Sequence, residues 1–433
     1  MSETDAPGAV ESADAADADR ARRAVAAVWR IESARIVATL TRFVGDVGQA
    51  EDLAQEAMLE ALKQWPTEGV PNNPGAWLTA VAKRRAIDGW RRRERLDERY
   101  AALARDLEQH DEAASDQFFD PDTIDDDVLR LVFVACHPVL SREAQIALTL
   151  RVVGGLASEE IARAFLVPVA TVQQRIVRAK KTLAAAKVPF EVPEPQEYAD
   201  RLGSVLSVLY LIFNEGYLPA SGTEWVRPDV SFEALRLARM VAELMPREPE
   251  AHGLVALMEF TAARFAARTT RDGTPIPLDR QDRSRWDRTH ISRGRTALAR
   301  ADRIGRGRAS YALQAAIAEC HALAPTVDDT DWAQMVVLYE ALGRIAPSPV
   351  VDLNRAVAVA MATGPASGLR IVDDLERSGK LAGYPALPAV RGELLARLGR
   401  TEEVRGELQT AARLTGNERE RAALLAKAAA LPS

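Results

Sequence analysis

The stretch that most restricts what this chain can fold into is residues 158–181, which reads as helix, short turn, helix. Ile161, Ala162 and Phe165 on the first helix face Val172 and Ile176 on the second, and Ala162 is small where the two would cross. Pro168 suits the start of the second helix, because its missing N–H would have no partner in the first turn anyway. That helix then exposes Thr171, Gln173, Gln174, Arg175 and Arg178, with Lys180 and Lys181 at its end, and residues 171–181 contain no carboxylate. A helix laid in the major groove of DNA needs polar side chains for base edges and cations for phosphates, and this one carries both. The alternative is a solvated basic helix in an ordinary bundle, since look-alikes of this motif are common.

A second basic segment lies upstream. Residues 83–99 hold eight cations, Lys83, Arg84, Arg85, Arg91, Arg92 and Arg93 among them, against four carboxylates. The chain as a whole has a net charge of −6, so the basic character is local. Cations grip a phosphate backbone, and Trp77 and Trp90 in the same helix region could offer stacking surface to unpaired bases. For the tryptophans individually, a place in the core is the better reading. The helix before this one carries Leu53, Ala54, Ala57, Met58, Ala61, Leu62 and Trp65 as an inward stripe, with Glu51 and Asp52 in its first turn and Pro66 closing it. Between the two basic segments, residues 106–127 include ten carboxylates and read as a flexible acidic linker.

With 433 residues, several domains are expected. Abundant Ala, Leu and Arg and few aromatics favour helices over sheet. The expected architecture is all-α: a disordered leader over residues 1–20, one helical module over 21–100, the acidic linker over 101–127, the helix-turn-helix module over 128–187, and a helical extension over 188–433. Cys136 and Cys320 suit a reducing cytosol rather than a disulfide framework, and no apolar run is long enough for a membrane span, so the chain is expected to be cytoplasmic with no membrane partner. The Cys136-His137 and Cys320-His321 pairs lack metal-ligand spacing, and neither a metal nor another cofactor is expected.

Gly45-Asp46, the run from Ala50 through Glu51, Asp52, Leu53, Ala54, Gln55 and Glu56 to Ala57, then Pro74-Gly75-Ala76-Trp77-Leu78 and residues 82–93 resemble the promoter −10 domain of extracytoplasmic-function sigma factors. The helix-turn-helix ending in Arg178-Ala179-Lys180 is similar to their −35 domain, in the same order along the chain. Together the likeness covers residues 21–187. It implies a subunit that lends bacterial RNA polymerase its promoter specificity, and not an enzyme. Asp52, Gln55 and Glu56 would dock on the polymerase core. Lys83, Arg84, Arg85, Arg91, Arg92 and Arg93 would hold the −10 element. Thr171, Gln173, Gln174, Arg175, Arg178, Lys180 and Lys181 would contact the −35 element. Many family members carry Arg-Asn where this chain has Lys83-Arg84, so a role for that asparagine cannot be carried over.

The extension adds to the likeness. Gly392 and Leu395, the Gly399-Arg400 reversal, and Val404, Leu408 and Ala411 before Asn417 resemble a tetratricopeptide unit, with weaker echoes at residues 232–260, 332–347 and 354–375. Leu209-Tyr210-Leu211-Ile212-Phe213-Asn214-Glu215-Gly216-Tyr217 and Gln281-Asp282-Arg283-Ser284-Arg285-Trp286 are similar to the sigma-factor subgroup with such an extension. Residues 269–291 break the helical pattern and are expected to form a strap across the helices. Stacked helix pairs present concave surfaces, which points to a protein partner for the extension. Two rivals compete with this reading. A one-component helix-turn-helix regulator with a ligand- or protein-binding tail leaves the first module unexplained. A catalytic site built on Glu215, Asp272, Asp282 and Asp287 competes with simple ion pairing of the strap.

Overall fold

A computed structural model describes residues 8–94, 121–165, 167–194, 196–217, 228–270 and 274–431. These residues form α-helices, 3-10 turns and loops, without a β-strand among them. The chain divides into two compact units, Met1–Val208 and Leu209–Ser433.

The first unit contains α1 (Gly8–Val44), α2 (Val47–Glu68), α3 (Pro74–Glu94), α4 (Pro121–Ala135), α5 (Arg142–Val152), α6 (Ser158–Phe165), α7 (Val169–Ala185) and the start of α8 (Tyr198–Tyr217). Its turns follow from local chemistry. Gly45 sits at φ +73°, a left-handed position that costs glycine little, and donates to the Thr41 carbonyl to end α1. Asp46 then caps α2, accepting from Gln49 N at 2.7 Å. Asn73 caps α3 through Ala76 N at 3.1 Å, with Pro74 at the first helical position. Helices α2, α3 and α4 all pack on α1, burying Ile36, Leu40, Leu78 and Leu131.

Several expectations are corrected here. The backbone is helical from Gly8, inside the stretch read as a disordered leader, because its many alanines let the helix extend outward from the anchored part of α1. Pro66 does not end α2. Only the last turn lies beyond it, so its missing N–H disrupts little, and Gly69 at φ +81° closes the helix at Glu68. Residues 121–127 belong to α4 rather than to a linker. Asp127 is fully buried, paired with Arg42 Nε at 3.0 Å and Arg130 Nη1 at 2.6 Å, which turns a linker charge into a core contact. The rest of the expected linker, residues 101–120, lies outside the described residues.

The modules read as separate are packed into one unit: α1 touches α4 and α5, and α2 touches α7. The boundary of the extension also shifts, from residue 188 to the middle of α8. The first turns of α8 are tied into the first unit by Arg201 to the Phe133 carbonyl at 3.1 Å, Ser204 to the Cys136 carbonyl at 3.0 Å and Arg142 to Ser207 Oγ at 2.6 Å.

The second unit continues with α9 (Pro228–Leu244), α10 (Pro249–Ala262), α11 (Arg288–Ile304), α12 (Ser310–Leu323), α13 (Trp332–Ile345), α14 (Pro349–Thr363), α15 (Pro365–Ser378), α16 (Ala386–Arg397), α17 (Thr401–Leu414) and α18 (Glu418–Ala429). Each helix from α9 onward packs on the next in sequence. One core gathers around Phe260, Trp286, Leu313 and Leu338, and another around Leu353, Val372, Leu395 and Leu408. At Gly392 a Cβ would stand 3.3 Å from Glu407 Cβ, so the missing side chain sets how closely α16 and α17 approach, and Gly399 reverses the chain at φ +76°. Between α10 and α11 runs the expected strap, with single turns at Phe265–Ala267, Leu278–Arg280 and Arg283–Arg285, although it starts before residue 269 and ends before 291, because Asp287 caps a helix that begins at Arg288. Asp282 accepts from Ser284 N, and Asp287 caps α11 through Thr289 and His290 N–H groups, so both carboxylates serve the backbone. Asp272 lies outside the described residues.

Candidate nucleic-acid interface

Helix α7 is amphipathic, and its burial separates its side chains sharply. Val172, Ile176, Ala179 and Leu183 are buried against α5 and α6. Gln173, Gln174, Arg178 and Lys181 are exposed, and Thr171 and Arg175 are half-buried at the edges of that ridge. Arg175 lies close enough to Glu143 to help hold its carboxyl below the usual range, after the Glu143 backbone amide and Ser141. Val177, 49% exposed, stands on the same ridge between Gln174 and Arg178 and was not singled out from the sequence. Its helical position would have given it away, three residues after Gln174 and four before Lys181.

Lys180 departs from the ridge. Its side chain is only 16% exposed and turns inward to α2, where Nζ donates to Glu51 Oε2 and, at 3.0 Å, to Asp52 Oδ1. Lys180 falls one helical turn from Ile176 and Leu183, on the buried face, so reach inward costs it little. Glu51 is the centre of this contact. It is 2% exposed and also accepts from Arg151 Nε at 2.8 Å, while Arg151 Nη1 donates to the Leu156 carbonyl. Neither Glu51 in this role nor Arg151 was legible in the sequence.

On α3 the predicted cations have different fates. Arg84 is exposed. Lys83 is half-buried, its ammonium 5.7 Å from the centre of the Phe43 ring. Arg85 reaches back to α2, donating to Glu56 at 3.1 Å and Glu60 at 2.7 Å. The Glu60 carboxyl is held below its usual range by the Gln64 amide, by Lys63 and by Arg85. The side chains of Arg91, Arg92 and Arg93 lie outside the described residues, although the helix backbone runs on to Glu94. Trp90 belongs to the core, 8% exposed and stacked on Phe43 with centroids 5.1 Å apart, whereas Trp77 is half-buried and meets the buried Trp65 edge-on at 5.6 Å.

The predicted polymerase-docking residues lie along α2. Asp52 is 72% exposed at its side chain and Glu56 51%, each touching one of the cations assigned to DNA, Lys180 and Arg85 respectively. Gln55 is half-buried beside a cavity of about 300 Å³ that Met58, Leu59, Leu62 and Arg151 also line. Leu59, 58% exposed and one turn beyond Gln55, places an apolar side chain on this acidic face. Elsewhere in the unit Cys136 is buried against the Thr149 hydroxyl, and burial pushes its thiol up to about 12. Among the described residues no helix is long and apolar enough to cross a membrane.

Comparisons with known proteins fall on these same elements. Residues 30–96 match the Sigma-70 region 2 model, residues 130–183 match Sigma-70, region 4, and residues 201–302 match a family of unknown function, DUF6596. An uncharacterized protein, R00370, of Rhizobium meliloti is 43% identical over 386 residues, 88% of this chain and 90% of the relative. A probable ECF RNA polymerase sigma factor, SigI, of Mycobacterium tuberculosis is 30% identical over 40% of this chain, which thereby spans 59% of that protein. The RNA polymerase sigma-H factor of Pseudomonas aeruginosa is 29% identical over 36% of this chain and 81% of its own length. No solved structure matches. Helices α1 to α3 therefore carry region 2, and α4 to α7 carry region 4. The chain belongs to one family with the Rhizobium meliloti protein, and its regions 2 and 4 make it a sigma-70/ECF-like sigma factor.

Proposed function

We propose that this chain directs RNA polymerase to promoters through two separate grips on DNA, and that its C-terminal helical unit regulates that activity. The observation that carries the reading is the ridge on α7, where Gln173, Gln174, Arg178 and Lys181 are exposed above the buried Val172, Ile176, Ala179 and Leu183. Amides suit base edges, guanidinium and ammonium groups suit phosphates, and Thr171 and Arg175 flank the ridge as further contacts to the −35 element. The −10 element is assigned to Lys83, Arg84, Arg85, Arg91, Arg92 and Arg93. The acidic and apolar face of α2, with Asp52, Gln55, Glu56 and Leu59, suits a basic docking surface on the polymerase core.

Pairing within the first unit adds a condition. Lys180 is turned inward between Glu51 and Asp52, and Arg85 is held by Glu56 and Glu60, so neither is presented to DNA while these pairs last. The free chain is thus read as a closed form whose two regions separate when polymerase takes the α2 face. Tethering to polymerase would then supply the effective concentration that two modest DNA contacts lack. The tetratricopeptide-like reading of the second unit, with a protein partner, draws support from sequential helix packing and from Gly392 and Gly399.

The test is run-off transcription with purified bacterial core polymerase, comparing the full chain with a chain ended after Val208. Ending it at Pro189 would strip Arg201, Ser204 and Ser207 from the first unit and confound the result. Promoter-specific transcripts are expected from both proteins, at different levels. No transcript from either would overturn the sigma reading, and equal levels would remove the regulatory role of the second unit.

A further inference from the structure

Between the strap and helices α12, α13, α14 and α16 lies a cavity of about 350 Å³, near the lower end of the range in which proteins hold small organic molecules. Its walls are apolar, with Leu278, Trp332, Val357, Met361, Val390 and Leu394. One end is polar and holds Arg283, which is 6% exposed. Arg283 Nη1 donates to the carbonyls of His321 at 3.0 Å and Ala324 at 2.8 Å, and Nη2 donates to Thr330 Oγ1 at 3.2 Å. Its Nε is buried with no hydrogen-bond partner among the described residues. The same is true of Nδ1 of His321, which lines the same cavity.

The electrostatics at this end are one-sided. Every hydrogen-bond partner of Arg283 is a neutral oxygen, its guanidinium lies 5.2 Å from the centre of the Trp286 ring, Arg264 adds a like charge nearby, and Asp329 acts only from beyond ion-pair distance. Burial, then Arg264 and Arg283, push the His321 imidazole down to about 3, so it is neutral at physiological pH and one tautomer offers Nδ1–H as a donor. A buried cation without a counter-charge, beside two unsatisfied nitrogens, is costly unless something supplies negative charge. The other charged groups of the lining are already committed, Glu393 to Lys427 at 2.6 Å and to Arg397 at 3.7 Å, and Glu420 to the Thr415 hydroxyl. An anionic head is therefore favoured beside Arg283.

We propose that this cavity binds a small carboxylate with an apolar body, its head beside the Arg283 guanidinium and its body lying against Trp332, Met361 and Val390. The mainly apolar walls suit a ligand with a single compact anionic head and an apolar body. The inference rests on the second unit alone and stands whether or not the first unit directs transcription.

The experiment is isothermal titration calorimetry on the full chain with phenylpropionate, octanoate and the neutral phenylpropionamide. Saturable single-site binding is expected for at least one carboxylate, with the amide about tenfold weaker because the charge-assisted bond is lost. Met361→Trp fills the apolar end without touching the Arg283 anchors and is expected to abolish binding while the circular dichroism spectrum and the melting temperature are kept. Arg283→Lys is expected to weaken phenylpropionate about tenfold while leaving the amide unchanged, a pattern that loss of strap anchoring alone does not give. The proposal is overturned if neither carboxylate binds with a Kd below about 1 mM, if the amide binds as tightly as the acid, or if a folded Met361→Trp protein binds as the native chain does.

Discussion

Glu51→Gln keeps the shape of the residue that joins regions 2 and 4 and removes its charge. In the native chain the Glu51 side chain is 3% exposed and faces two cations, Arg151 and Lys180, each 16% exposed at the side chain. Removing one partner of a buried ion pair costs about 3–5 kcal/mol, chiefly because the remaining charge stays desolvated. Asp52 offsets little of that: at 72% exposure its pair with Lys180 belongs with surface bridges worth about 0–1 kcal/mol. The loss falls on the contact between the two regions at α2 and α7, because the substitution leaves the apolar packing of α4 on α1 and that within each region untouched. At about tenfold per 1.4 kcal/mol, the open population of the free chain should rise by roughly two to three and a half orders of magnitude. Hydrogen exchange on the full chain reads this directly, as faster exchange in the first turns of α2 and the last turns of α7. Lys180→Met completes a double-mutant cycle, with a coupling of at least ~1 kcal/mol expected from residues in direct contact. Unchanged protection in α2 and α7, or a coupling near zero, would mean that Glu51 does not hold the regions together.

Further substitutions separate packing from recognition. Trp90→Ala should destabilise the chain by about 3–5 kcal/mol in urea unfolding, because Trp90 is 8% exposed and stacked on Phe43, whereas Trp90→Phe should retain most of the stability. Arg178→Ala should shift stability by no more than about 0.5 kcal/mol, yet weaken promoter binding by the polymerase complex and lower its salt slope by about 1, measured by fluorescence anisotropy at several ionic strengths. Burial depresses the His321 pKa from 6.5 to about 3, so its contribution to stability is complete above the unfolded value and is lost as pH falls from there toward the folded value. By pH about 5 that loss reaches about 2 kcal/mol, so His321→Asn should flatten the melting temperature between pH about 7 and 5 relative to the native chain.

Local chemistry made much of the first unit legible. The Gly45-Asp46 pair announces a left-handed residue and a cap, Asn73-Pro74 announces another helix start, and the alternation of Val172, Ile176 and Ala179 with Gln173, Gln174 and Arg178 gives the two faces of α7. Each of these signals acts over at most a few residues, where spacing along the chain and distance in space agree. Asp127 shows where that agreement ends. As one of ten carboxylates in a polar stretch it reads as solvated, and its burial becomes tolerable when Arg42, distant in the chain, joins the neighbouring Arg130 in pairing with it.

The same reasoning explains why Lys180 was assigned wholly to DNA. Its partner Glu51 is 129 residues earlier in the chain, and nothing in either segment reports the other. A basic helix next to nucleic acid and a basic helix next to an acidic helix have the same composition, since both are selected for complementarity to negative charge. The acidic face of α2 offers Lys180 and Arg85 the kind of contact that phosphate would. That equivalence is what makes a switch of partners energetically accessible. In the proposed function, docking of α2 on a basic surface of polymerase would withdraw Asp52 and Glu56 from these cations, and DNA would then replace one set of anions with another. The cost of opening would thereby be divided between two partners, with neither supplying the whole of it.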